Sequence, residues 1–178
     1  MALSTYTELK SAIANWLNRS DLTTEISDDF IKLVESEYNA KLRIKAMLNS
    51  KTDYSITAET VAVPTGFLQV RDFYISSGAE KYSLTYMAPT QMDQVKGGST
   101  SGRPTVYTIL GDNFRFAPSP DATYTATLNY YKAIDALSGS TATNYILTNH
   151  PGVYLYGSLY HAANFLGGIE PSKLQNWL

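Results

Sequence analysis

The two histidines, His150 and His161, lie in one segment, LTNHPGVYLYGSLYHAANFL, residues 147–166. On a continuous helix they would be about 16 Å apart along the axis, too far to share a metal ion. Zinc or iron needs three or four His, Cys or carboxylate ligands, and the sequence has no cysteine. We therefore expect no metal and no cofactor. His150, beside Pro151, is interpreted as a helix start and His161 as a packing position.

Carboxylates are the next candidates for chemistry. Asp28, Glu35 and Glu37 could serve as acid and base in a cell-wall hydrolase, but that chemistry needs two carboxyl groups across a cleft. Asp28 and Asp29 are better explained as the first turn of a helix, where carboxylates favour the positive end of the dipole. Glu35 and Glu37 are interpreted as a solvated face. The hydrolase is the least favoured of three functional hypotheses.

A nucleophile pair is conceivable at Ser158 and His161, which are three residues apart on one helix. The sequence contains no G-x-S-x-G, no P-loop and no G-x-G-x-x-G motif. A helix surface also lacks an oxyanion hole unless other elements supply one. The sequence therefore predicts no enzyme.

A small basic cluster occurs in KLRIKAML, where Lys41, Arg43 and Lys45 alternate with apolar residues. These cations could contact phosphate, or they could simply favour the negative end of a helix. The chain has 14 Lys and Arg against 16 Asp and Glu, so its net charge of −2 indicates no strong affinity for nucleic acid.

Helical periodicity appears at both ends of the chain. Thr5 and Glu8 have capping-box spacing and predict a helix over about 5–18. Ser27 is the expected N-cap of a long second helix over about 27–48. Pro151 suits the first turn of a helix over about 149–166. The apolar positions expected to face the core of the first two helices are Leu9, Ile13, Trp16, Leu17, Ile31, Val34, Tyr38 and Leu42.

The end of the chain also has helical signals. Gly167 and Gly168 are expected to end the helix over 149–166. A further helix should begin at Pro171, and because its pattern is still amphipathic at Leu178, we expect the native protein to continue.

Residues of about 52–135 have the alternation typical of strands. Turns are predicted at 64–66, 76–78, 111–113 and 119–121, one helical turn at 90–96 and a flexible Gly/Ser loop at 97–102. In 124–131, Tyr124, Ala126, Leu128 and Tyr130 should form an apolar face. The predicted fold class is α+β: a single domain in which helices from 1–50 and 145–178 form a small bundle around an inserted antiparallel β subdomain.

Composition adds two expectations. No apolar stretch approaches the ~18 residues that span a bilayer and the N-terminus lacks a signal peptide, so we expect a soluble protein with no membrane partner. The chain contains 14 tyrosines. Tyrosine suits half-wet subunit interfaces, although exposed strand faces would also account for it.

Three stretches resemble a known family: VAVPTGFLQVRDFYI (61–75), GRPTVYTILGDNFRFAPSPDATYTATLNYYKA (102–133) and YILTNHPGVYLYGSLYHAANFLG (145–167). Their ordered signature consists of Gly102-Arg103-Pro104, Pro118, Pro120-Asp121, Tyr130-Tyr131, Leu147-Thr148 and His150-Pro151. With the order of helices and strands, it resembles the adaptor, or head-completion, proteins of tailed bacteriophages.

This resemblance implies a non-enzymatic ring, commonly of twelve copies, between the portal protein and a tail or nozzle protein, with DNA passing through the lumen. It also implies a place in the virion, at the head–tail interface, after assembly in the host cytoplasm. For subunit contacts we predict Arg103, Tyr154, His161 and Phe165; for lumen DNA we predict Lys41, Arg43 and Lys45. The remaining hypothesis is that the β subdomain binds carbohydrate or another virion protein at the host surface.

Overall fold

The computed structural model describes residues 3–96 and 101–167. The chain divides into two compact units. Met1–Ala46 and Ile134–Leu178 form one, called here the helical unit, and Met47–Ala133 form the other, the β unit. Helices and antiparallel or mixed sheets are both present, so the predicted α+β class with an inserted sheet region is confirmed.

The first helix, α1, spans Tyr6–Leu17. Its N-terminus carries the predicted capping box, because the Thr5 hydroxyl accepts from the Glu8 backbone N–H while the Glu8 carboxylate accepts from the Thr5 N–H. Leu9 and Ile13 are fully buried, as the periodicity predicts. Trp16 is not: its side chain is 58% exposed, which corrects its placement on the core face.

The second helical segment begins at residue 23, earlier than predicted, and contains a π-helical turn, Glu25–Phe30, before helix α2, Ile31–Lys41. The backbone N–H of Ile31 bonds to the carbonyl of Ile26, five residues back, which defines the wider turn. Ser27 is therefore not an N-cap. Its hydroxyl donates to carbonyl oxygens of the preceding turn, inside the helix.

The prediction that this helix continues to Leu48 is wrong. The chain leaves the helix at Leu42, which is extended, and a 3₁₀ turn, Lys45–Met47, follows. Arg43 donates to the carbonyl oxygen of Asn39 and satisfies part of the open helix end. From Leu48 the backbone pairs with a strand instead, and this tertiary pairing overrides the local helix propensity of residues 42–48.

The β unit consists of two four-stranded sheets. Its elements are β1 (Leu48–Ile56), β2 (Thr60–Ala62), β3 (Phe67–Ser77), β4 (Glu80–Ser83), β5 (Thr85–Tyr86), α3 (Pro89–Lys96), β6 (Val106–Leu110), β7 (Asn113–Ala117) and β8 (Tyr124–Lys132). The strand orders are β1-β8-β3-β4 and β2-β7-β6-β5. All pairs are antiparallel except β5 with β6, which is parallel.

The predicted turn between β6 and β7 is confirmed. Gly111 has a φ of +57°, a left-handed conformation that glycine adopts without strain. The predicted apolar face of β8 is also present, because Ala126, Leu128 and Tyr130 are buried. That face lies within a core of aromatic rings packed mostly edge to face. The rings surround Phe114 and come from Tyr54, Phe67, Phe73, Tyr107 and Phe116.

The chain then returns to the helical unit through two helices, α4 (Tyr145–Asn149) and α5 (Pro151–Leu166). His150 is the N-cap residue of α5 and Pro151 its first residue, so the interpretation of His150 as a helix start is confirmed. Gly167 ends α5 in the left-handed conformation, with a φ of +65°.

Several predictions fall outside the described residues. These are positions 97–100 of the predicted Gly/Ser loop, the second glycine at 168 and the helix expected from Pro171.

Candidate functional site

The most unusual polar group of the helical unit is Glu35, which is only 6% exposed. Its Oε1 accepts from the backbone N–H of Leu137 at 2.8 Å and from the Tyr154 hydroxyl at 3.1 Å. Burial raises the pKa of the Glu35 carboxyl, while these two bonds act in the opposite direction. The sequence-based interpretation of Glu35 as a solvated side chain is therefore wrong.

Neighbouring side chains extend this contact into a network. Asn144 caps α4 by accepting from the N–H of Leu147, and its amide donates to the Tyr154 hydroxyl at 2.7 Å. On α2, the side-chain Oδ1 of Asn39 accepts from the N–H of Ile134 at 2.9 Å. Polar side chains of α2 thus bind the backbone of the segment that returns from the β unit to the helices.

The network has the properties of a structural element. A buried backbone N–H must find an acceptor, and Glu35 and Asn39 supply acceptors to a segment that has no ladder of its own. Tyr154 is fully buried inside this arrangement, with its ring packed edge to face on Tyr38 at 5.5 Å. The ring is thus enclosed by its own subunit. The predicted contact of Tyr154 with a neighbouring subunit stays a prediction.

The carboxylates weighed for hydrolysis are not gathered into one cleft. Asp28 pairs with Lys32 at 2.9 Å and Glu37 with Lys41 at 3.1 Å, both as exposed pairs one helical turn apart. Glu35 is enclosed by protein donors. Two carboxyl groups facing a shared substrate position, as glycoside hydrolysis requires, are not found among these three.

The possible nucleophile pair is also accounted for by packing. Ser158 is fully buried, and its hydroxyl contacts no polar partner among the described residues, so His161 does not activate it. His161 instead places Nε2 at 3.3 Å from Glu37 Oε1. Burial lowers the pKa of His161 despite the nearby carboxylate, which favours the neutral imidazole.

The sequence predicts that the basic cluster lies on one helix, and the structure shows that it does not. Lys41 is the last residue of α2, Arg43 follows in the extended exit and Lys45 lies in the 3₁₀ turn. Lys41 and Arg43 already have partners, in Glu37 and in the carbonyl oxygens at the helix end. Their contact with lumen DNA stays a prediction.

Arg103 is exposed in the β unit, where its guanidinium lies over the ring of Tyr82 at 3.6 Å from the centroid. This stacking holds the charged group in a defined position while its N–H donors remain accessible. A predicted role in subunit contact is not tested by this geometry.

Apolar residues of α2 and α5 border an open groove of about 480 Å³ on the helical unit, called here the α2–α5 groove. Phe30 lies at its base and packs edge to face against Phe165 at 5.6 Å. Leu33 and Phe165 line the groove and are 48% and 59% exposed. The remaining lining residues are Asp28, Asp29, Lys32, His161 and Asn164.

A second apolar feature of the same unit is the Trp16–Tyr156 pair, whose rings meet edge to face at 5.9 Å. Trp16 is 58% and Tyr156 38% exposed. Tyr156 and Phe165 are nine residues apart on α5, which corresponds to about half a turn around the helix axis. The pair and the α2–α5 groove therefore lie on opposite flanks of α5.

The sequence-based prediction of subunit contacts names Phe165 and His161, which line the groove, but none of the other members of these surfaces. Trp16 is an apolar residue at helical spacing, and hydropathy alone places such a residue inside. One signal was available: Leu33 follows Lys32 and lies off the stripe of Ile31, Val34 and Tyr38.

The described residues offer no sign of a metal site or a membrane span. No group of three His, Asp or Glu side chains in 3–96 and 101–167 is arranged to hold a metal ion. Within the same residues, no helix combines the length and apolar character that crossing a bilayer requires.

Comparison with known proteins identifies the family. A family model described as SU10 adaptor protein matches residues 4–178, whereas no curated protein matches the chain. A phage adaptor is a structural rather than an enzymatic protein, associated with the virus particle and in contact with other particle proteins. The inferred resemblance is confirmed at that level. Because the match covers nearly the whole chain, the chain belongs to the SU10 adaptor protein family.

Proposed function

We propose that the protein assembles into a ring of twelve copies that joins the portal of the phage head to a tail or nozzle protein. DNA passes through the lumen of this ring during ejection. Assembly takes place in the host cytoplasm, and the ring then occupies the head–tail interface of the virion. As a single adaptor domain, each copy contributes its helical and β units to the same particle.

The observation that carries this proposal is the apolar surface left open on the helical unit. A single helix, α5, exposes Phe165 on one flank and Tyr156 on the other. Large apolar side chains exposed on two sides of one element are typical of a subunit with neighbours on both sides. The family match supports a particle protein in which such neighbours exist.

The charge of the chain agrees with a DNA conduit. A net charge of −2 gives no general attraction for phosphate, and strong attraction would obstruct movement of DNA through the lumen. We propose that Lys41, Arg43 and Lys45 make the transient contacts with DNA, and that Arg103 and His161 contribute to contacts between copies or with other particle proteins.

Electron microscopy and native mass spectrometry of the chain, alone and mixed with the portal protein of the same phage, test the proposal. We expect a closed ring of twelve subunits that binds the portal coaxially. Mixing with a portal protein from an unrelated phage is the control for non-specific association. A strict monomer that joins neither portal nor tail protein under these conditions would contradict the proposed function.

A further inference from the structure

We propose that copies of this chain meet head to tail, with the Trp16–Tyr156 pair of one copy inserted into the α2–α5 groove of the next. The inference rests on the proposed ring and adds to it a specific interface. It assigns the groove one occupant, a second copy of the same chain.

A ring closed by rotation needs heterologous contacts, in which two different surfaces of one subunit meet. An interface that used the same patch twice would stop at a dimer. The helical unit presents two different apolar surfaces, and they lie on opposite flanks of α5 because Tyr156 and Phe165 are about half a turn apart. Each copy therefore offers one surface to each neighbour.

One of the two surfaces projects a large aromatic side chain, and the other is an open groove. Trp16 projects from the last turn of α1, and large exposed aromatic side chains of this kind are the usual anchors of protein interfaces. The groove, at about 480 Å³, is open and has Phe30 at its base with Leu33 and Phe165 at its sides. An indole in that position would contact aromatic and aliphatic carbon on three sides and bury surface that is exposed in the single copy.

Charges of both signs border each of the two surfaces. Asp28 and Asp29 line the groove, and Lys32 lies beside them. Arg19 and Asp21 follow Trp16 closely and pair with each other at 2.7 Å. In one register of the contact, Arg19 faces Asp29 and Asp21 faces Lys32, so opposite charges meet. In the reverse register, Arg19 would face Lys32 and Asp21 would face Asp29, so like charges would meet. Such rim pairs contribute little affinity but select the orientation.

Cross-linking distinguishes this interface from others. The sequence contains no cysteine, so Arg19→Cys and Asp29→Cys each introduce one thiol, at the edge of one surface, and leave Trp16, Tyr156, Leu33 and Phe165 in place. Both positions are exposed. A mixture of the two variants, treated with a short bismaleimide, should give linked dimers, while each variant alone should give none. A chain carrying both substitutions should give a ladder of linked oligomers.

A matched disruption and a matched control complete the design. Adding Phe165→Glu to the Asp29→Cys variant should reduce the linked dimer by about tenfold or more, as expected for an interface anchor. Leu110→Cys, an exposed position of the β unit, replaces Arg19→Cys in the control mixture. The circular dichroism melting curve of each variant establishes that it is folded.

The outcomes separate the interface from the ring. Linked dimers in the Arg19→Cys and Asp29→Cys mixture only, lost with Phe165→Glu, support the interface. Efficient linking of either variant with itself overturns the interface. Linking in the mixture that is no greater than in the Leu110→Cys control also overturns it. If native mass spectrometry still shows a ring in these cases, the proposed function is unaffected. Folded variants that remain monomeric with and without portal overturn both.

Discussion

The two units of the chain differ in how many of their large apolar side chains are exposed. The β unit encloses its aromatic residues in a core around Phe114, and among its described residues only Tyr86 and Leu110 are large, apolar and exposed. The helical unit does the reverse: it buries a carboxylate at Glu35, and the part of it that the structure describes exposes seven large apolar side chains. These are Trp16, Leu33, Tyr145, Val153, Tyr156, Phe165 and Leu166.

A fold does not leave so much apolar surface open for its own stability, since each exposed side chain forgoes the free energy of burial. The comparison therefore supports the proposal that the surface of the helical unit is covered by partners in the particle. The β unit is closer to a self-contained domain, and its core should dominate its own stability.

The largest effect is expected from the β core. Phe114→Ala removes a fully buried ring that contacts five other aromatic side chains, and should lower the free energy of unfolding by about 3–5 kcal/mol. Denaturant unfolding followed by circular dichroism measures the change. Tyr86→Ala, at an exposed aromatic position, should change stability by less than about 0.5 kcal/mol. Equal losses from the two substitutions would contradict the self-contained core.

The next effect concerns the close packing of α5 on α2. At Gly157, an added Cβ would lie 3.0 Å from a methyl carbon of Val34 and 3.2 Å from the Tyr38 hydroxyl. Gly157→Ala should therefore destabilise the protein by about 1–3 kcal/mol through overpacking.

Gly152→Ala is the matched control for this packing test. A Cβ there meets only the Tyr156 ring, at 3.7 Å, so the exchange should be neutral or slightly stabilising. Thermal melting of the two variants compares them directly. A stabilised Gly157→Ala variant would show that the helices can separate without cost.

A smaller effect should appear as a change in pH dependence. Burial raises the pKa of Glu35 in the folded state. At a pH just above the ordinary carboxyl pKa, the folded state therefore keeps a proton on Glu35 that the unfolded chain has lost. The free energy of unfolding contributed by this group therefore falls as the pH rises from the unfolded to the folded pKa, and stays at its lower value above it.

Glu35→Gln should remove this pH dependence while an amide oxygen still accepts from Leu137 and Tyr154. Stability at neutral pH should change by less than about 1 kcal/mol. Denaturation midpoints between pH 4 and 8 measure the slope, with Asp29→Asn, at an exposed carboxylate of the same helical segment, as the control. An unchanged slope in Glu35→Gln would mean that Glu35 has no raised pKa.

The smallest effect on folding should come from the open surface itself. Leu33→Ser replaces a half-exposed side chain and should change the free energy of unfolding by less than about 0.5 kcal/mol. In the proposed ring the same substitution weakens assembly, which analytical ultracentrifugation at several concentrations would detect. A large loss of folding stability would show that Leu33 belongs to the core after all.

Local signals explain why much of the fold was predictable. The Thr5 and Glu8 capping box, the alternation of β8 and the left-handed glycine at 111 all depend on residues close together in sequence, and the structure contains each of them. The predicted start of the helix over 149–166 lies within two residues of the observed start, because Pro151 and Gly167 mark the two ends of the helix.

The sequence-based predictions are wrong where the local conformation depends on residues that are distant in sequence. Residues 42–48 leave the helix although most of them are good helix formers, because the chain pairs with β8 from Leu48 onward. Glu35 is buried because a backbone N–H more than a hundred positions away needs an acceptor. The exposure of Trp16 has no local signal, since an aromatic residue at helical spacing fits a core and an interface equally well.

The contacts that α2 makes with the returning chain have an evolutionary consequence. Asn39 and Glu35 precede the β unit in sequence, whereas Ile134 and Leu137 follow it, so hydrogen bonds within the helical unit join the two ends between which the β unit is inserted. We expect that related viruses can lengthen, shorten or exchange this insertion without redesigning the helices. Retained helical circular dichroism in a chain whose residues 47–133 are replaced by a short Gly/Ser linker would demonstrate that freedom.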